Sequence, residues 1–265
     1  HVAAPTVRPE CHGERGQPIC RGLGELHLNV QVERLKRKSG VSVRTEAPKI
    51  AYRETITRTS EGQGRHKKQS GGRGQFGDCY VRFKPLPRGG GYEFISSIKG
   101  GVIPTKYVPS VDKGIREASQ KGILAGFPLV DFSAECYDGS YHSVDSSDIA
   151  FKLAGSAAFR NVAPTAGPTL LEPIIEVSVT TPDEYMGDIT GDLTSRRGKI
   201  MGMDSDGGRT VIKGRVPEAE LYKYAAALRS MTQGRAHHSR EFVGYEPVPG
   251  DAAKSIIAAA KKKDE

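Results

Sequence analysis

The chain has 265 residues, 37% of them hydrophobic and none of them Trp, which is enough for two or three domains with small cores. No apolar run approaches the roughly 18 residues of a membrane-spanning helix, and the first residues lack the pattern of a signal peptide. The net charge is +8, of which residues 1–69 carry +7, and this asymmetry favours nucleic acid as a partner over a merely solvated basic surface.

The four cysteines give little sign of a redox or metal function. Cys11, Cys20, Cys79 and Cys136 form no CxxC pair and suggest no disulfide framework, so we expect a reducing cytosol. A zinc site from Cys11, His12 and Cys20 is conceivable, but its spacing matches no common zinc pattern.

The first predicted unit is strand, helix and strand. Residues 1–16 are predicted to be irregular, because they contain several Pro and Gly residues, and a short strand follows at 17–21. A helix with an apolar stripe and a basic last turn extends from Gly22 to Ser39, and a strand begins at Val41. This is about half of a ferredoxin-like fold, and Ala47-Pro48 marks its boundary.

The second predicted unit mixes strands with two helices. Alternating apolar residues predict its strands, and an apolar face or small residues predict its helices. The strands are predicted at 50–59, 78–84, 92–98 and 129–137, a turn at Asp138-Gly139-Ser140, and the helices at 108–121 and 147–159. Residues 164–173 form the next boundary.

The third predicted unit has the order βαββαβ, the split βαβ arrangement. Its first helix begins with a capping box, Thr181-Pro182-Asp183-Glu184, and Asp206-Gly207-Gly208 is a hairpin turn. Strands are predicted at 174–179, 199–203, 210–216 and 239–245, with the second helix at 217–231. A short helix at about 250–260 and a solvated lysine tail end the sequence.

A glycine-rich loop, Lys67 to Gly77, has no acidic residue and has glycine at four of its last seven positions. It contains the spacing Gly72-x-Gly74-x-x-Gly77, but a polar run precedes it and a strand pattern follows, so we reject a dinucleotide site. The sequence also has no GxxxxGK[S/T] nucleotide loop. Two interpretations fit the composition: a flexible hairpin connection, and a tip that contacts RNA or phosphate.

Seven stretches, spread over nearly the whole chain, resemble the C-terminal half of bacterial elongation factor G in the order found in that family. They are Gly22–Leu28, Ala51–Ile56, Lys68–Gly77, Gly100–Pro104, Tyr137–Ser147, Thr181–Asp188 and Leu228–Arg235. The match is specific because it rests on all seven stretches together and not on any single motif.

The resemblance implies an α+β chain of three domains. Residues 1–47 resemble a partial, ferredoxin-like domain III, and residues 48–172 resemble domain IV, which is similar to the second domain of ribosomal protein S5. Residues 173–250 resemble the ferredoxin-like domain V, and 251–265 form a C-terminal helix and tail. The G domain and domain II of the family have no counterpart in these residues, so the resemblance implies a fragment.

The resemblance also implies a role in tRNA–mRNA translocation during polypeptide elongation. In the family, two loops at the tip of domain IV enter the decoding site. Here those RNA-binding tip residues are Gln69, Ser70, Gly71, Gly72, Arg73, Gly74, Gln75, Ser140, Tyr141, His142 and Asp145. Candidates for an rRNA contact in domain V are Arg196, Arg197, Gln233 and Arg235, and ion pairs with Asp192 or Glu220 are the alternative for the first two.

The implied partners are the ribosome, with its 16S and 23S rRNA and ribosomal proteins, and tRNA and mRNA in the decoding region. We expect a cytoplasmic monomer without a membrane partner. We expect no enzyme activity, catalytic residue, cofactor or metal in this fragment, whereas GTP with Mg would bind the G domain of the GTP-hydrolysing parent.

Several alternatives remain. The unusual segments Gly234–Phe242 and Cys11–Cys20 suggest a diverged second copy of the factor, acting in ribosome recycling or ribosome protection. A free-standing RNA-binding module and a metabolic enzyme are further hypotheses. His142, Asp145, Ser146 and Ser147 have the residue types of a nucleophilic triad, but no nucleophile elbow surrounds them, and Asp145 or Ser147 is a candidate helix N-cap.

Overall fold

The computed structural model describes residues 8–12, 17–21, 25–43, 45–69 and 74–264, without the side chains of 8–12, 17–21, 25–26 and 261–264. Both helices and strands are present, which confirms the predicted α+β class. The elements in chain order are β1 (Arg8–His12), β2 (Gln17–Arg21), α1 (Glu25–Ser39), β3 (Arg53–Ile56), β4 (Ser60–Lys68), β5 (Gln75–Pro85), β6 (Tyr92–Ser96), α2 (Val108–Ser119), β7 (Phe132–Ser140), α3 (Asp148–Val162), β8 (Pro168–Pro182), α4 (Met186–Ser195), β9 (Lys199–Asp206), β10 (Arg209–Pro217), α5 (Tyr224–Met231), β11 (His237–Pro247) and α6 (Gly250–Asp264).

The chain divides into two compact units. One comprises residues 1–51 and 172–244, and the other comprises residues 52–171 and 245–265. In the first unit the strand order is β11-β8-β10-β9, and the elements from β8 to β11 follow the predicted βαββαβ order. Its core lies between this sheet and helices α4 and α5, with Val177, Leu193, Ile212 and Tyr224 fully buried.

The second unit contains the sheet β4-β5-β7-β6, in which only the β6–β7 pair is parallel. Its core combines strand and helix side chains, because Val81, Phe83 and Phe132 on the sheet are buried together with Phe151 and Phe159 on α3. Strand β3 pairs with the first residues of β8. Helix α3 packs on strands β4 and β5, and helix α2 packs on α3.

Strand β4 was not predicted, because its sequence SEGQGRHKK has no apolar residue to alternate. It forms a strand because Gly64, together with Gly77 of the paired strand β5, allows helix α3 to approach the backbone of the sheet. A Cβ atom on Gly64 would lie 2.2 Å from the carbonyl oxygen of Ala154, and one on Gly77 of the paired strand would lie 2.5 Å from that of Ala150. Backbone contact therefore replaces the usual apolar side chains at this interface.

Three predictions in the N-terminal and central parts are wrong. Residues 8–12, predicted to be irregular, form β1 and pair antiparallel with β2. No strand begins at Val41, because Val41 and Val43 are exposed in irregular chain. The turn predicted at Asp138–Ser140 is instead the end of β7, since Ser140 still pairs with Asp78 of β5 beyond a bulge.

Two predictions in the first unit also need correction. The helix predicted at 217–231 is interrupted, because Lys223 adopts φ +57° between a 3-10 turn at 218–221 and α5. The capping box is not formed. The Thr181 hydroxyl is buried without a hydrogen-bond partner in the described structure, and Glu184 pairs with Arg235 instead.

A buried carboxylate fixes the segment that follows α2. Glu54 on β3 is fully buried, and its carboxylate accepts hydrogen bonds from the backbone N–H groups of Ile123, Leu124, Ala125 and Phe127. No cation within ion-pair distance of Glu54 is present among the described residues. Four aligned N–H dipoles compensate the charge of the buried group.

Candidate nucleic-acid interface

The first predicted tip loop joins β4 to β5. The strands pair as far as Lys68 and Gln75, so residues 69–74 form the connection. Ser70, Gly71, Gly72 and Arg73 lie outside the described residues. Gln69 is exposed, and the Gln75 side chain lies 2.9 Å from Nε2 of His66.

The second predicted loop connects β7 to α3 and is a tight turn built around His142. Nδ1 of His142 accepts hydrogen bonds from the N–H groups of Val144 (3.3 Å) and Asp145 (3.2 Å). Because Nδ1 is an acceptor, the proton of the neutral imidazole is on Nε2. The His142 side chain is 56% exposed, and its Nδ1 also lies 3.5 Å from Oδ2 of Asp145, so the ring is anchored within the loop and still accessible to a ligand.

Asp145 holds the two loops together. Its Oδ1 accepts a hydrogen bond from the Gly74 N–H at 3.1 Å, and its backbone oxygen accepts one from the Phe76 N–H at 2.9 Å. The adjacent Ser146 hydroxyl donates to the Phe76 oxygen and accepts from the His142 N–H. The structure thus brings the predicted residues Gly74, His142 and Asp145 into one hydrogen-bonded tip.

The other predicted residues of the second loop have separate roles. Ser140 donates a hydrogen bond to Asp78 at 2.8 Å, so its hydroxyl is engaged within the sheet. Tyr141 is half exposed and presents its ring to solvent. Ser147 is the N-cap of α3, since its side chain accepts a hydrogen bond from the Ala150 N–H, which confirms the capping alternative for one of the two candidates.

No nucleophile is assembled at the described part of the tip. Both hydrogen bonds of the Ser146 hydroxyl are to backbone atoms, and the Ser147 hydroxyl caps α3. The two buried cysteines are also poor nucleophiles. Burial raises the pKa of the Cys136 thiol to about 12 and that of Cys79 well above its ordinary value, so both remain protonated near neutral pH.

A third segment adjoins the tip and was missed as a site element. Ile103 is buried beside Gly139, and the Tyr107 hydroxyl donates a hydrogen bond to the Ser146 oxygen. Gly100 and Gly101 adopt φ +68°, with open space around both. The sequence signal was the stretch Gly100–Pro104, which contributed to the family resemblance but had no assigned role.

Basic side chains surround the tip without matching carboxylates. Arg65 lies over the Phe76 ring at 5.6 Å, and the Lys106 ammonium lies 4.8 Å from the Tyr107 ring centroid. Within the described part of the chain, Lys67, Lys68 and Lys106 have no carboxylate oxygen within 4.0 Å. An anionic ligand would find several uncompensated cations here.

Arg196 and Arg197 of the first unit are engaged in ion pairs. Arg196 contacts Asp192 at 2.8 Å and donates to the Glu220 backbone oxygen. Arg197 binds the nearly buried Glu172 through two hydrogen bonds of 2.7 and 2.9 Å, and it also contacts Glu220. These hydrogen bonds raise the pKa of the Arg197 guanidinium. The predicted alternative, ion pairing with Asp192 and Glu220, is therefore present in the fold.

Arg235 and Gln233 have a different set of neighbours. Arg235 contacts Glu184 at 2.6 Å, donates to the Gln233 side chain, and lies over the Tyr185 ring. Its side chain is still 52% exposed. Of the three predicted arginines in this unit, Arg235 has the most accessible side chain.

His238 on β11 gives the first unit a pH-dependent stability. Partial burial, and the nearby Arg240 and His237, lower the pKa of His238, and its Nε2 accepts a hydrogen bond from Arg240. The unfolded chain therefore binds a proton at higher pH than the folded unit. We expect the free energy of unfolding to fall as pH drops from about 7.5 to about 5.5, through the ordinary His pKa of about 6.5.

The test compares denaturant unfolding of the unaltered chain and His238→Gln across this pH range. Glutamine keeps a hydrogen-bond acceptor for Arg240 but does not titrate, so the variant is expected to show a smaller loss of stability. Parallel pH profiles for the two chains would contradict the assignment.

Comparison with known proteins assigns the chain to a family. Three sequence models match consecutive parts of the chain: "Elongation Factor G, domain III" matches residues 3–47, "Elongation factor G, domain IV" matches 48–167, and "Elongation factor G C-terminus" matches 169–256. The chain belongs to the elongation factor G family. The two predicted tip loops both lie within the part matched by domain IV.

Individual relatives agree with the family models. Elongation factor G of Aquifex pyrophilus is 53% identical over 253 residues, which cover 96% of this chain and 36% of that protein. A crystal structure of a protein from Thermus thermophilus superposes with a TM-score of 0.89 at 45% identity, covering 97% of this chain and 38% of the other. The chain thus spans little more than a third of the length of the Aquifex elongation factor G.

None of the helices among the described residues has the length and apolar character needed to cross a membrane. The described side chains also contain no group of three His, Cys, Asp or Glu residues placed to hold a metal ion.

Proposed function

We propose that the chain is the ribosome-engaging arm of a GTPase that promotes tRNA–mRNA translocation. Residues 1–47 would act as domain III, 48–172 as domain IV, and 173–250 as domain V, with 251–265 as the C-terminal helix and tail. Support comes from the three consecutive family matches and from the tip that Asp145 assembles from two loops.

The tip is suited to hold RNA rather than to transform it. Glycines at positions 71, 72 and 74 let the backbone approach a nucleic acid closely, and Gln69, Ser70 and Gln75 supply hydrogen-bonding groups for 2′-hydroxyls or base edges. Arg73 offers a guanidinium for phosphate, and His142 offers Nε2–H. Because Asp145 joins the loops, these groups would meet the tRNA and mRNA as one body.

The work of such an arm is positional. A tip occupying the decoding region behind the moving tRNA and mRNA prevents their return, and this needs stiffness and contact rather than an acid, a base or a nucleophile. We propose 16S rRNA, tRNA and mRNA as partners of the tip. Arg196, Arg197, Gln233 and Arg235 are proposed to contact 23S rRNA, with Arg235 the most accessible of the three arginines. Ribosomal proteins are further neighbours, and the arm acts as a monomer in the cytoplasm.

GTP and Mg are assigned to the rest of the longer protein. The sequence of this chain contains no GxxxxGK[S/T] loop, so its residues do not fit the nucleotide, and we derive no step through it. The purified 265 residues are expected to give no GTP turnover.

The test of translocation uses a chimera in which this chain replaces the corresponding third of the Aquifex pyrophilus factor. We expect the chimera to move mRNA by one codon on ribosomes, measured by toeprinting. Asp145→Ala, which releases Gly74, and His142→Ala, which removes the imidazole, are each expected to slow this movement about tenfold or more.

The matched control is His237→Ala, which removes an exposed histidine of the first unit and is expected to leave the rate unchanged. Normal rates in both tip variants would disprove the assigned tip. A chimera that splits ribosomes into subunits without moving mRNA would favour ribosome recycling instead.

A further inference from the structure

Ser146, at the end of the second tip loop, uses all of its polar atoms in hydrogen bonds. Its N–H donates to the His142 oxygen at 3.1 Å, and its hydroxyl accepts from the His142 N–H and donates to the Phe76 oxygen, both at 2.9 Å. Its backbone oxygen accepts from the Tyr107 hydroxyl at 3.2 Å. Ser146 is buried and thus joins three pieces of chain: the His142 turn, the start of β5, and the segment before α2.

Tyr107 is the partner in this set that lies outside the two predicted loops. Its ring stacks on the ring of Phe151, with centroids 4.9 Å apart and an interplanar angle of 17°. Phe151 lies fully buried on the first turn of α3. Because the ring rests on the core and the hydroxyl reaches Ser146, one rigid side chain links the core of the unit to the second loop.

The chain that leads to Tyr107 is itself anchored. Ile103 is buried, and a Cβ atom on Gly139 would lie 2.5 Å from its Cδ1 atom. The Tyr107 N–H donates to the Pro104 oxygen at 2.9 Å in the short turn that precedes α2. The hydroxyl that holds Ser146 therefore comes from a segment positioned by the core, and not from a third loose loop.

This contact differs from the other hydrogen bonds of the second loop. Those of His142 and Asp145 join the loop to itself or to residues 74–76. They hold the two loops together, whereas the Tyr107 hydroxyl attaches the pair to the α2 side of the unit. Loss of that hydroxyl would leave the buried Ser146 oxygen without this donor.

We propose that Tyr107 is a positioning residue of the tip. Its hydroxyl holds the Ser146 peptide, and the Ser146 hydroxyl holds the backbone of His142, so Tyr107 sets where the imidazole meets RNA. The inference rests on the proposed function, since it takes the tip to bind RNA in the decoding region. It gives the segment before α2, which the sequence left without a role, a part in the work of the tip.

The test is Tyr107→Phe in the chimera, because phenylalanine keeps the stacked ring and removes only the hydroxyl. We expect the maximum rate of mRNA movement, at saturating chimera, to fall about fivefold, as for one lost hydrogen bond to a buried oxygen. The chimera concentration that gives half of this rate is expected to change by less than about twofold. A chimera that was merely less folded would need a higher concentration to reach an unchanged maximum rate.

The matched control is Tyr92→Phe. It removes a hydroxyl that donates to Asp112 at 2.7 Å in the same unit, and it is expected to leave the maximum rate unchanged. Hydrogen exchange of the full chain gives an independent readout. The amides of His142, Val144, Asp145 and Ser146 are expected to lose protection about fivefold in Tyr107→Phe but not in Tyr92→Phe.

The outcomes separate the inference from the proposed function. Unchanged exchange at these amides, or an unchanged maximum rate in Tyr107→Phe, would overturn the inference, and the proposed function would stand as long as Asp145→Ala and His142→Ala slow the movement. An equal loss in Tyr92→Phe would also overturn it, because the effect would then not depend on contact with the tip. Normal rates in the Asp145 and His142 variants would remove the proposed function and the inference together.

Discussion

Gly114→Ala is expected to destabilise the second unit by about 2 kcal/mol, although alanine is the better helix former. In a helix interior this substitution normally gains about 1 kcal/mol. Here the added Cβ would lie 2.0 Å from the carbonyl oxygen of Lys152, which is a backbone atom and cannot rotate away. Helices α2 and α3 must therefore separate, and overpacking of this kind costs about 1–3 kcal/mol or more. Denaturant unfolding followed by circular dichroism measures the change.

The matched control lies in the other unit. Gly191 is also inside a helix, α4, but a Cβ atom there would have nothing within 4 Å. Gly191→Ala is thus expected to stabilise its unit by about 1 kcal/mol. Opposite signs for the two substitutions would establish close helix contact as the cause. Stabilisation by both would show that α2 and α3 are farther apart than described.

Glu54→Gln is expected to destabilise the second unit by about 3 kcal/mol while leaving the shape of the side chain almost unchanged. The carboxylate accepts from four backbone N–H groups, at 2.9 Å for both Leu124 and Ala125. An amide has one accepting oxygen, and its NH₂ group would face N–H donors, so two buried donors lose their acceptor. Each such loss costs about 1–3 kcal/mol.

Hydrogen exchange gives this substitution a local readout. Amides 123–127 are expected to lose protection in Glu54→Gln before the rest of the unit does, because their acceptor is the altered group. Glu93→Gln, at an exposed position on β6, makes the same chemical change and is expected to have an effect within about 0.5 kcal/mol. Equal effects of the two substitutions would refute the role assigned to Glu54.

Elements with apolar periodicity were predictable from the sequence, and elements that depend on backbone contact were not. Helix α2 was predicted at 108–121 and lies at Val108–Ser119, because one face of it supplies the buried Val111 and Ile115. Strand β4 was missed because its buried positions include glycine, which no hydrophobic pattern records. The predicted turn at Asp138–Ser140 failed because pairing with β5 outweighs the local preference of Asp-Gly-Ser.

The residues of the tip could be predicted from the sequence, but the hydrogen bonds that connect its two loops could not. The family resemblance located both loops and singled out His142 and Asp145. It could not show that Asp145 holds Gly74, because that hydrogen bond joins residues 71 positions apart. Nor could it show that Nδ1 of His142 accepts hydrogen bonds from two backbone N–H groups of its own turn, because this depends on the path of the chain through the loop. For Arg196 and Arg197 the sequence left an rRNA contact and ion pairs with Asp192 or Glu220 both open, and it did not indicate Glu172, which lies 25 positions before Arg197.

The glycine contacts of the second unit have a mechanical consequence. Where Gly64 and Gly77 meet α3, and where Gly114 and Gly155 join α2 to α3, main chain touches main chain with no side chain between the layers. Side chains can yield by changing rotamer, but peptide groups in regular hydrogen-bonded structure cannot. A force applied at the exposed end of this unit therefore compresses it very little. A displacement of that end is transmitted to the other end with little internal deformation.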